Sequence, residues 1–558
     1  MLIFQKAGRK GLKRTLRMLI LVFCVAALAG IVLFRMRQDA ASLLGARLAD
    51  SQQLADITAL PQTSAEGCVL HWNGQVLPYD SAREAYCLPQ PLDGSTTGNL
   101  STTWGSVYLP ADQWADGRRE AMAGDETLDV YVSDGKRWCR LEVYLSGLPA
   151  MIIHTEHSEP FQLDPEVVGQ TMAKLPLAYN FGSITVLWPE GNTRMQTQTS
   201  GVEWHWRGNA NLFAQKKSYR LNLLDEKGQD VNLDLLGLGE ENGWVLVNFS
   251  TDCTRLRDKV ATELWNELAA TAEHDPAGAR MEYVELYLDD TYMGVYGLCR
   301  SVSRKSMELS RQDVMYKWRQ ATGIADEEFD RLESEQSTEW LNRLEVVWPN
   351  VWEPGVWEPL RSYVNTLYRG ETVRWEDIES LVNIDNLIDI ALYKQYICAV
   401  DNLMQNQYLI YRSSEEQFYR LPWDLNYSFG DTYDAYLPLD HTTLALPDLE
   451  LDALYSADPE RTRQLVAERW EELRETVFRL DRLEESFRTE QEVLTSSGAW
   501  ARDYRLWGED GAYKGLSEHR SLGLEETLEF MEQRLAFLDE YMADYTPADR
   551  EAFDVLPK

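Results

Sequence analysis

The spacing of apolar and polar positions predicts a strand-rich region followed by a helix-rich region. Residues 61–147 alternate turn residues with short β-prone runs, and we interpret them as a small β-rich module. Strand patterns continue through residues 148–320, which we assign to the β-rich N-terminal part of a second domain. The clearest patterns in that part predict strands at 150–154, 183–188, 219–224 and 283–288, and a helix at 254–270.

Helical periodicity dominates the end of the chain, so residues 381–558 are predicted to form the helix-rich C-terminal part of the same domain. The strongest helical patterns lie at 384–399, 467–483 and 524–545. Residues 321–380 are rich in Trp and Glu and show no clear period, and we interpret them as an insertion. The predicted fold class is α+β.

An uncharged apolar run covers residues 18–34, close to the minimum length for a helix that crosses a bilayer. Residues 1–17 contain six Lys and Arg residues and no acid, which favours a cytoplasmic N-terminus. We therefore predict a basic cytoplasmic tail, a single-pass anchor in the cell membrane, a stalk at 35–60, and a C-terminal ectodomain outside the cytoplasm. The alternative is a cleaved signal peptide, because 27–29 resembles a cleavage site.

Charge and cysteine content narrow the function classes. The 558-residue chain carries a formal net charge of −36, which repels nucleic acid at long range, so nucleic acid is not an expected partner. Its seven cysteines form no CxxC pair, so no zinc cluster is predicted. Cys68 and Cys87 are the nearest candidates for a disulfide bond, with isolated buried thiols as the alternative.

The segment after the predicted 384–399 helix carries the candidate chemistry. Two β-prone runs, 407–412 and 417–421, flank the polar tetrapeptide Ser-Ser-Glu-Glu. This pattern predicts a hairpin with a four-residue loop. In the resulting register Asn406 lies opposite Trp423.

Three oxygen-bearing side chains are predicted to meet where this hairpin closes. Asp401 precedes the first strand, and Asp424 reaches Asn406 only if the second strand ends, or slips by one residue, near Pro422. Carboxylate and amide oxygens suit Mg²⁺, and protein kinases use an Asp and an Asn five residues later to position a hydroxyl and a metal. Because that spacing also arises by chance, helix capping by Asp401 and ordinary turn formation are the alternative.

A series of short motifs extends over much of the chain. In chain order they are Arg207-Gly208-Asn209, Lys216-Lys217-Ser218-Tyr219-Arg220-Leu221, Trp244-Val245-Leu246, Leu256-Arg257-Asp258, Leu286-Tyr287-Leu288, Tyr292-Met293-Gly294-Val295-Tyr296, Asp401-Asn402, Asn406-Gln407-Tyr408, Leu421-Pro422-Trp423-Asp424 and Ser428-Phe429-Gly430. This ordered series, over about residues 148–545, resembles the CotH family of spore-coat kinases. The resemblance implies an atypical two-lobed protein-kinase-like fold.

The resemblance also implies an activity and roles for five residues. The activity is transfer of phosphate from ATP, with Mg²⁺ or Mn²⁺, to Ser or Thr hydroxyls of surface or coat proteins. Asp401 then orients or deprotonates the acceptor hydroxyl, and Asn406 and Asp424 hold the metal. Lys217 is the candidate for contacting nucleotide phosphates, with a solvent-facing lysine on an edge strand as the alternative. Arg207 either contacts the phosphates or stabilises a Gly-Asn turn.

Two positions depart from the family pattern. Asn426 stands where the family usually has Asp, and Arg300 stands where it commonly has Glu. The first change removes a carboxylate beside the metal ligands, and the second reverses a charge beside the expected nucleotide cleft. The competing hypothesis is therefore a surface binding or scaffold protein that keeps the kinase-like fold without turnover.

Overall fold

The fold is described from a computed structural model of the chain. The described residues are 44–90, 98–114, 125–160, 178–191, 194–208, 214–272, 276–319, 324–341, 343–369, 373–403, 405–431, 442–508 and 521–549. The predicted tail at 1–17 and anchor at 18–34 lie outside these residues. Among the helices of the described ranges, none is long and apolar enough to cross a membrane.

The first described residues form two small β-sheets. Their elements are β1 Arg47–Ala49, α1 Ser51–Thr58, β2 Leu70–Trp72, β3 Gln75–Val76, β4 Tyr79–Asp80, β5 Ala85–Leu88, β6 Leu100–Thr102, β7 Ser106–Pro110, α2 Ala111–Trp114, β8 Thr127–Ser133 and β9 Trp138–Leu145. The strand orders are β1-β7-β8-β9-β5-β4 and β3-β2-β6. Because β1 pairs with β7 and Leu44 is buried in the same core, the structure corrects the prediction of a stalk for residues 44–60.

A closed barrel follows. Its elements and the short pair beside it are β10 Ala150–Pro160, β11 Ala178–Glu190, β12 Arg194–Arg207, β13 Ser218–Leu224, β14 Leu233–Asp234, β15 Glu240–Glu241, β16 Gly243–Val247, α3 Arg257–Ala269, β17 Met281–Leu288 and β18 Thr291–Arg300. The barrel order is β10-β11-β12-β13-β16-β18-β17, and β14 pairs with β15. The strands predicted at 150–154, 183–188, 219–224 and 283–288 all lie in this barrel.

Alternate side chains of the barrel strands pack into two different cores. Trp244 and Leu246 on β16 pack with Leu221 inside the barrel. Val245, between them, packs instead against Leu264 of α3 and the helix-rich part of the chain. Successive strand residues point to opposite faces, so the outer face of the barrel packs against the helix-rich part.

A five-stranded sheet joins the barrel to the helices. Its elements are β19 Val314–Trp318, α4 Asp326–Ser334, β20 Glu339–Trp340, β21 Leu344–Trp348, α5 Glu358–Leu367, α6 Trp375–Glu379, β22 Gln407–Arg412 and β23 Gln417–Pro422, in the strand order β20-β21-β19-β22-β23. Residues 321–380 are therefore not a separate insertion, because β21 pairs with β19, which pairs with β22. Trp357 is fully buried, so tryptophan in this segment fills the core.

The remaining helices pack around one buried helix. They are α7 Ile384–Ile397, α8 Leu449–Ala457, α9 Pro459–Glu475, α10 Leu480–Ser496, α11 Ala499–Trp507 and α12 Leu524–Ala543. Nearly all of α7 is buried, so it is the centre of the helix-rich part. The pattern predicted as one helix at 467–483 spans the end of α9 and the start of α10, which the chain separates at Thr476.

Helix α11 links the parts of the molecule through buried ion pairs. The Arg502 Nε donates to Glu285 Oε1 on β17 at 2.7 Å, and Arg502 Nη1 lies 3.2 Å from Asp125 Oδ1, next to β8. The next residue, Asp503, accepts hydrogen bonds from Lys216 and Arg255 on the barrel side. Burial opposes ionisation of Asp503, but the charges of Lys216 and Arg255 hold the pKa of its carboxyl below the usual value.

Replacing Asp503 by Ala is expected to destabilise the protein by about 3–5 kcal/mol, because two buried cations then lose their anion. The free energy of unfolding, measured by denaturant titration, checks this. The matched control is Asp481→Ala, which removes an exposed partner of Arg479 and should change stability far less. Equal losses in the two variants would contradict the assignment.

Candidate active site

The hairpin of β22 and β23 has the register that the sequence predicts. Gln407 lies opposite Pro422, and Arg412 lies opposite Gln417. One step beyond the last pair, the Trp423 N–H donates to the Asn406 carbonyl at 2.9 Å. The open end of the hairpin therefore brings Asn406 and Trp423 side by side.

The backbone at Asp424 leaves the strand conformation, so the direction of its side chain does not follow the alternation of β23. The strand β23 ends at Pro422, and Asp424 has a φ of +62°, in the left-handed region. Asn406, at the start of β22, also has a positive φ, +53°. Asn and Asp tolerate this region better than other non-glycine residues, and such backbone strain clusters at functional sites. The second strand thus ends at Pro422, which is the condition that the prediction of a shared site for Asp424 and Asn406 required.

Asp401 lies in a short 3₁₀ helix, Val400–Asn402, that follows α7. Its Oδ2 accepts from Asn406 Nδ2 at 2.7 Å, and its Oδ1 accepts from Gln405 Nε2 at 2.5 Å. Helix α7 itself ends at Cys398 in the left-handed conformation, so capping is not the role of the Asp401 side chain.

The neighbouring residue Asn402 closes the hairpin onto the end of the helix. Its Nδ2 donates to the Asn406 carbonyl at 3.0 Å and to the Trp423 carbonyl at 2.8 Å. The two strand ends are therefore held by one buried amide. Because Asp401 precedes Asn402 and Asp424 follows Trp423, these two hydrogen bonds also position both aspartates.

The site contains a third carboxylate, which sequence reasoning missed. Asp258, in the first turn of α3, is buried and accepts a hydrogen bond from the Leu425 N–H at 3.2 Å. Burial, reinforced by the nearby charge of Asp424, raises the pKa of Asp258 to about 7. Burial and the same charge raise the pKa of Asp401 to about 7. The only signal for Asp258 in the sequence was the motif Leu256-Arg257-Asp258.

Beside these residues lies a cleft between the outer face of the barrel and the hairpin. The cleft is partly open to solvent. Asp258 and Asp424 line its acidic end, and Arg207 lines it from the end of β12. Arg207 pairs with Ser218 across β12 and β13, and both face the cleft from the outer side of the barrel.

The opposite part of the cleft is apolar. It is lined by Val247, Trp265, Ala279, Met281 and Cys299. An apolar surface with a few converging polar groups is the usual composition of a small-ligand site, and a flat aromatic base suits such a floor.

Lys217 lies outside the lining of this cleft. It precedes Ser218, whose side chain faces the cleft, and its ammonium lies 4.8 Å from the centroid of the Trp206 ring. Because successive residues of an extended chain point to opposite faces, the side chain of Lys217 points away from the cleft that Ser218 lines. The predicted contact between Lys217 and nucleotide phosphates gains no support from this placement.

Positive charge instead collects around Trp423. The Arg207 guanidinium lies 5.8 Å from the Trp423 ring centroid, and the Lys317 ammonium lies 5.5 Å from it. Burial lowers the pKa of Lys317 to about 7, and the charge of Arg207 adds to this effect. Lys317 carried no signal in the sequence, because its strand lay at the edge of the segment without a clear period.

The two departures from the family pattern have defined positions. Asn426 donates from Nδ2 to Thr251 Oγ1 at 2.8 Å, so its amide bridges the hairpin end to the barrel. Arg300 pairs with Trp244, and the residue before it, Cys299, lines the cleft. Arg300 therefore points away from the cleft, and its reversed charge does not face the site.

The donors at the acidic end fit a hard divalent cation. In the described part of the chain no three His, Cys, Asp or Glu side chains converge closely enough to hold a metal unaided. Mg²⁺ does not need such a cage, because it binds through one or two carboxylates, water and substrate phosphates. Asp424 and the Asn406 Oδ1 can supply protein oxygens, and a cation there relieves the repulsion between Asp424 and its two acidic neighbours.

A cleft with acidic oxygen donors at one end, cations beside them and an apolar floor is the arrangement of a kinase-like protein. The model of the CotH kinase protein family matches residues 205–538, more than half of the chain. The chain therefore belongs to the CotH kinase protein family. The comparison with curated proteins gives no match.

Mg²⁺ is expected to raise the thermal unfolding midpoint of the full chain, and Asp424→Ala is expected to abolish this shift. At 100 times its dissociation constant, the ion should stabilise the wild type by about 2.7 kcal/mol. Without metal, the variant should be at least as stable as the wild type, because a repulsive charge is gone. Asp230→Ala, which removes an exposed carboxylate far from the hairpin, is the control. A full Mg²⁺ shift in the Asp424 variant would contradict the site.

Proposed function

We propose that the protein is a membrane-tethered, extracytoplasmic atypical protein kinase, which transfers phosphate from ATP to Ser or Thr hydroxyls of surface proteins. The observation that carries this proposal is the meeting of acidic and basic side chains around Trp423. The charge of Asp424 acts on Asp258 and Asp401, and Arg207 and Lys317 lie 5.8 Å and 5.5 Å from the centroid of the Trp423 ring. A nucleotide with its divalent cation has the complementary charge distribution.

Asp401 is the residue proposed to receive the acceptor hydroxyl. Its carboxylate is held by Asn406 and Gln405, so its orientation is set before substrate binds. A carboxylate in that position orients the hydroxyl and accepts its proton as the oxygen attacks the γ-phosphorus of ATP, and the bond from that phosphorus to ADP breaks.

Asn406 and Asp424 are the proposed protein ligands of Mg²⁺ or Mn²⁺. The Asn406 amide uses Nδ2 to hold Asp401, which leaves Oδ1 to face a metal. When bound, the cation would neutralise phosphate charge. Asp258 accepts from the Leu425 N–H and so fixes the backbone directly after Asp424. We assign Asp258 a positioning role.

The nucleotide base is proposed to lie on the apolar floor formed by Trp265, Ala279 and Met281. This places its phosphates toward Arg207 and Asp424, which line the same cleft. Of the two sequence interpretations of Arg207, phosphate contact is the one that its place in the cleft favours. The tether remains the proposed role of residues 18–34, with the acceptor protein on the outer side of the membrane.

Incubation of the full chain with labelled ATP, Mg²⁺ and a casein-like acceptor is expected to label the acceptor. Asp401→Asn should lower the rate by about 10² or more, the usual contribution of a general base. Asp424→Ala should abolish labelling, because the metal has lost its carboxylate. Asp230→Ala should label as well as the wild type.

Equal labelling by the wild type and the Asp424 variant would refute the catalytic assignment. A wild type that neither labels the acceptor nor binds ATP with Mg²⁺ would favour the competing hypothesis of a scaffold without turnover. Thermal unfolding with ATP and Mg²⁺ separates these two results, because binding alone raises the midpoint.

A further inference from the structure

We propose that Lys317 and Arg207, which both lie against Trp423, form a clamp for the phosphate groups of the nucleotide. The inference rests on the proposed function, because it names a phosphate-binding residue for that same cleft. It assigns the role of phosphate-binding lysine to Lys317 on the five-stranded sheet, and not to Lys217 beside the barrel.

Lys317 is held at the centre of its sheet. Strand β19 pairs on one side with β21 and on the other with β22, where Lys317 lies opposite Tyr408. The Lys317 ammonium lies 5.2 Å from the centroid of Tyr408 and 5.5 Å from that of Trp423. Both rings belong to the hairpin that carries the acidic residues. The ammonium is thus positioned by the same hairpin that positions Asp424.

Arg207 approaches the same ring from the other half of the molecule. It ends strand β12 of the barrel, and its guanidinium lies 5.8 Å from the Trp423 centroid. The separation between the two cations cannot exceed the sum of their distances to that ring. The two cations therefore lie within the reach of one polyphosphate, which would join the barrel to the five-stranded sheet.

Neither cation is neutralised by the described part of the chain. Within it, neither Lys317 nor Arg207 donates a hydrogen bond or forms an ion pair, and their contacts are with aromatic rings. An acid is available, because Glu345 lies directly opposite Lys317 in the sheet. Glu345 pairs with Arg319 instead. The ammonium of Lys317 is thus left for another partner.

The buried lysines of the described residues each pair with a carboxylate. Lys394 pairs with Asp448, Lys216 with Asp503 and Lys259 with Glu263. Removing a cation from water without an anion is costly, so two such groups beside one cleft indicate an anionic ligand. Aromatic faces recover part of that cost and keep both cations beside Trp423, which lines the cleft.

Phosphate is the anion that fits the surroundings. Arg presents a planar fork to phosphate oxygens and Lys a compact point charge, and a polyphosphate can use both. The charge of Asp424 acts on Lys317 directly, which shows that the metal end and the cationic end adjoin. A polyphosphate bound to a divalent cation offers a positive charge to the carboxylates and anionic oxygens to Lys317 and Arg207. A simple carboxylate ligand would pair only with the two basic side chains.

The decisive experiment separates the clamp from the metal site. Inorganic tripolyphosphate is titrated into the full chain in metal-free buffer, and binding is measured by calorimetry. Lys317→Met and Arg207→Met should each weaken binding at least tenfold. Asp424→Ala should strengthen it, because without metal this carboxylate repels the ligand. Lys305→Met removes a positive charge that pairs with Glu240 elsewhere and should bind as the wild type does.

A kinetic arm compares the two lysines with ATP and Mg²⁺. Lys317→Met should raise the KM for ATP at least tenfold, Lys317→Arg should recover most of the loss, and Lys217→Met should leave KM unchanged. Thermal midpoints without ligand show whether each variant is folded, and Lys317→Gln replaces Lys317→Met if the latter is unfolded.

The proposal is overturned if the wild type does not bind tripolyphosphate, if Lys317→Met binds it normally, or if Lys217→Met alone raises KM. Failure of the proposed function is distinguishable from these results. A protein that binds tripolyphosphate through Lys317 and Arg207 but labels no acceptor retains the clamp without the kinase activity.

Discussion

Two hydrogen bonds from the amide of Asn402 hold both ends of one β-hairpin against the end of the central helix. They reach the carbonyls of Asn406 and Trp423, which the hairpin register has already placed side by side. Because Asn402 follows Asp401 and Trp423 precedes Asp424, this contact also determines where both carboxylates lie. Asn406 then holds the Asp401 carboxylate through its amide, and the charge of Asp424 acts on the same carboxylate.

The barrel supplies the other wall of the cleft, and its position depends on buried charge. Helix α11 binds Glu285 of the barrel through Arg502 and binds Lys216 through Asp503. Removing either partner of such a pair leaves an uncompensated charge in the interior, so these contacts strongly oppose displacement of the barrel. The outer face of β12 and β13 is thereby kept opposite the hairpin. Arg207 faces Trp423 for this reason.

The cleft differs from the buried ion pairs elsewhere in the described chain. Lys394 and Arg420, for example, share the buried Asp448. In the cleft, carboxylates face carboxylates and the nearest cations face aromatic rings. Local conflict of this kind lowers stability and is expected where binding has priority over packing. The divalent cation and polyphosphate that we propose as ligands would resolve this conflict.

The sequence by itself determined the local features: the register of the hairpin, the helix ending near Ile397, the α+β order and the grouping of Asp401, Asn406 and Asp424. Period-2 and period-3.6 patterns and turn residues act over a few neighbours, so they can be interpreted without a fold. Only the tertiary structure decided that Asp258 lines the cleft, that Lys317 lies against Trp423 at its edge, and that Lys217 lies against Trp206 instead. It also decided that residues 321–380 complete the central sheet. The positions of these residues depend on which distant strands pair and on which face of the barrel is covered. Local periodicity in the sequence encodes neither.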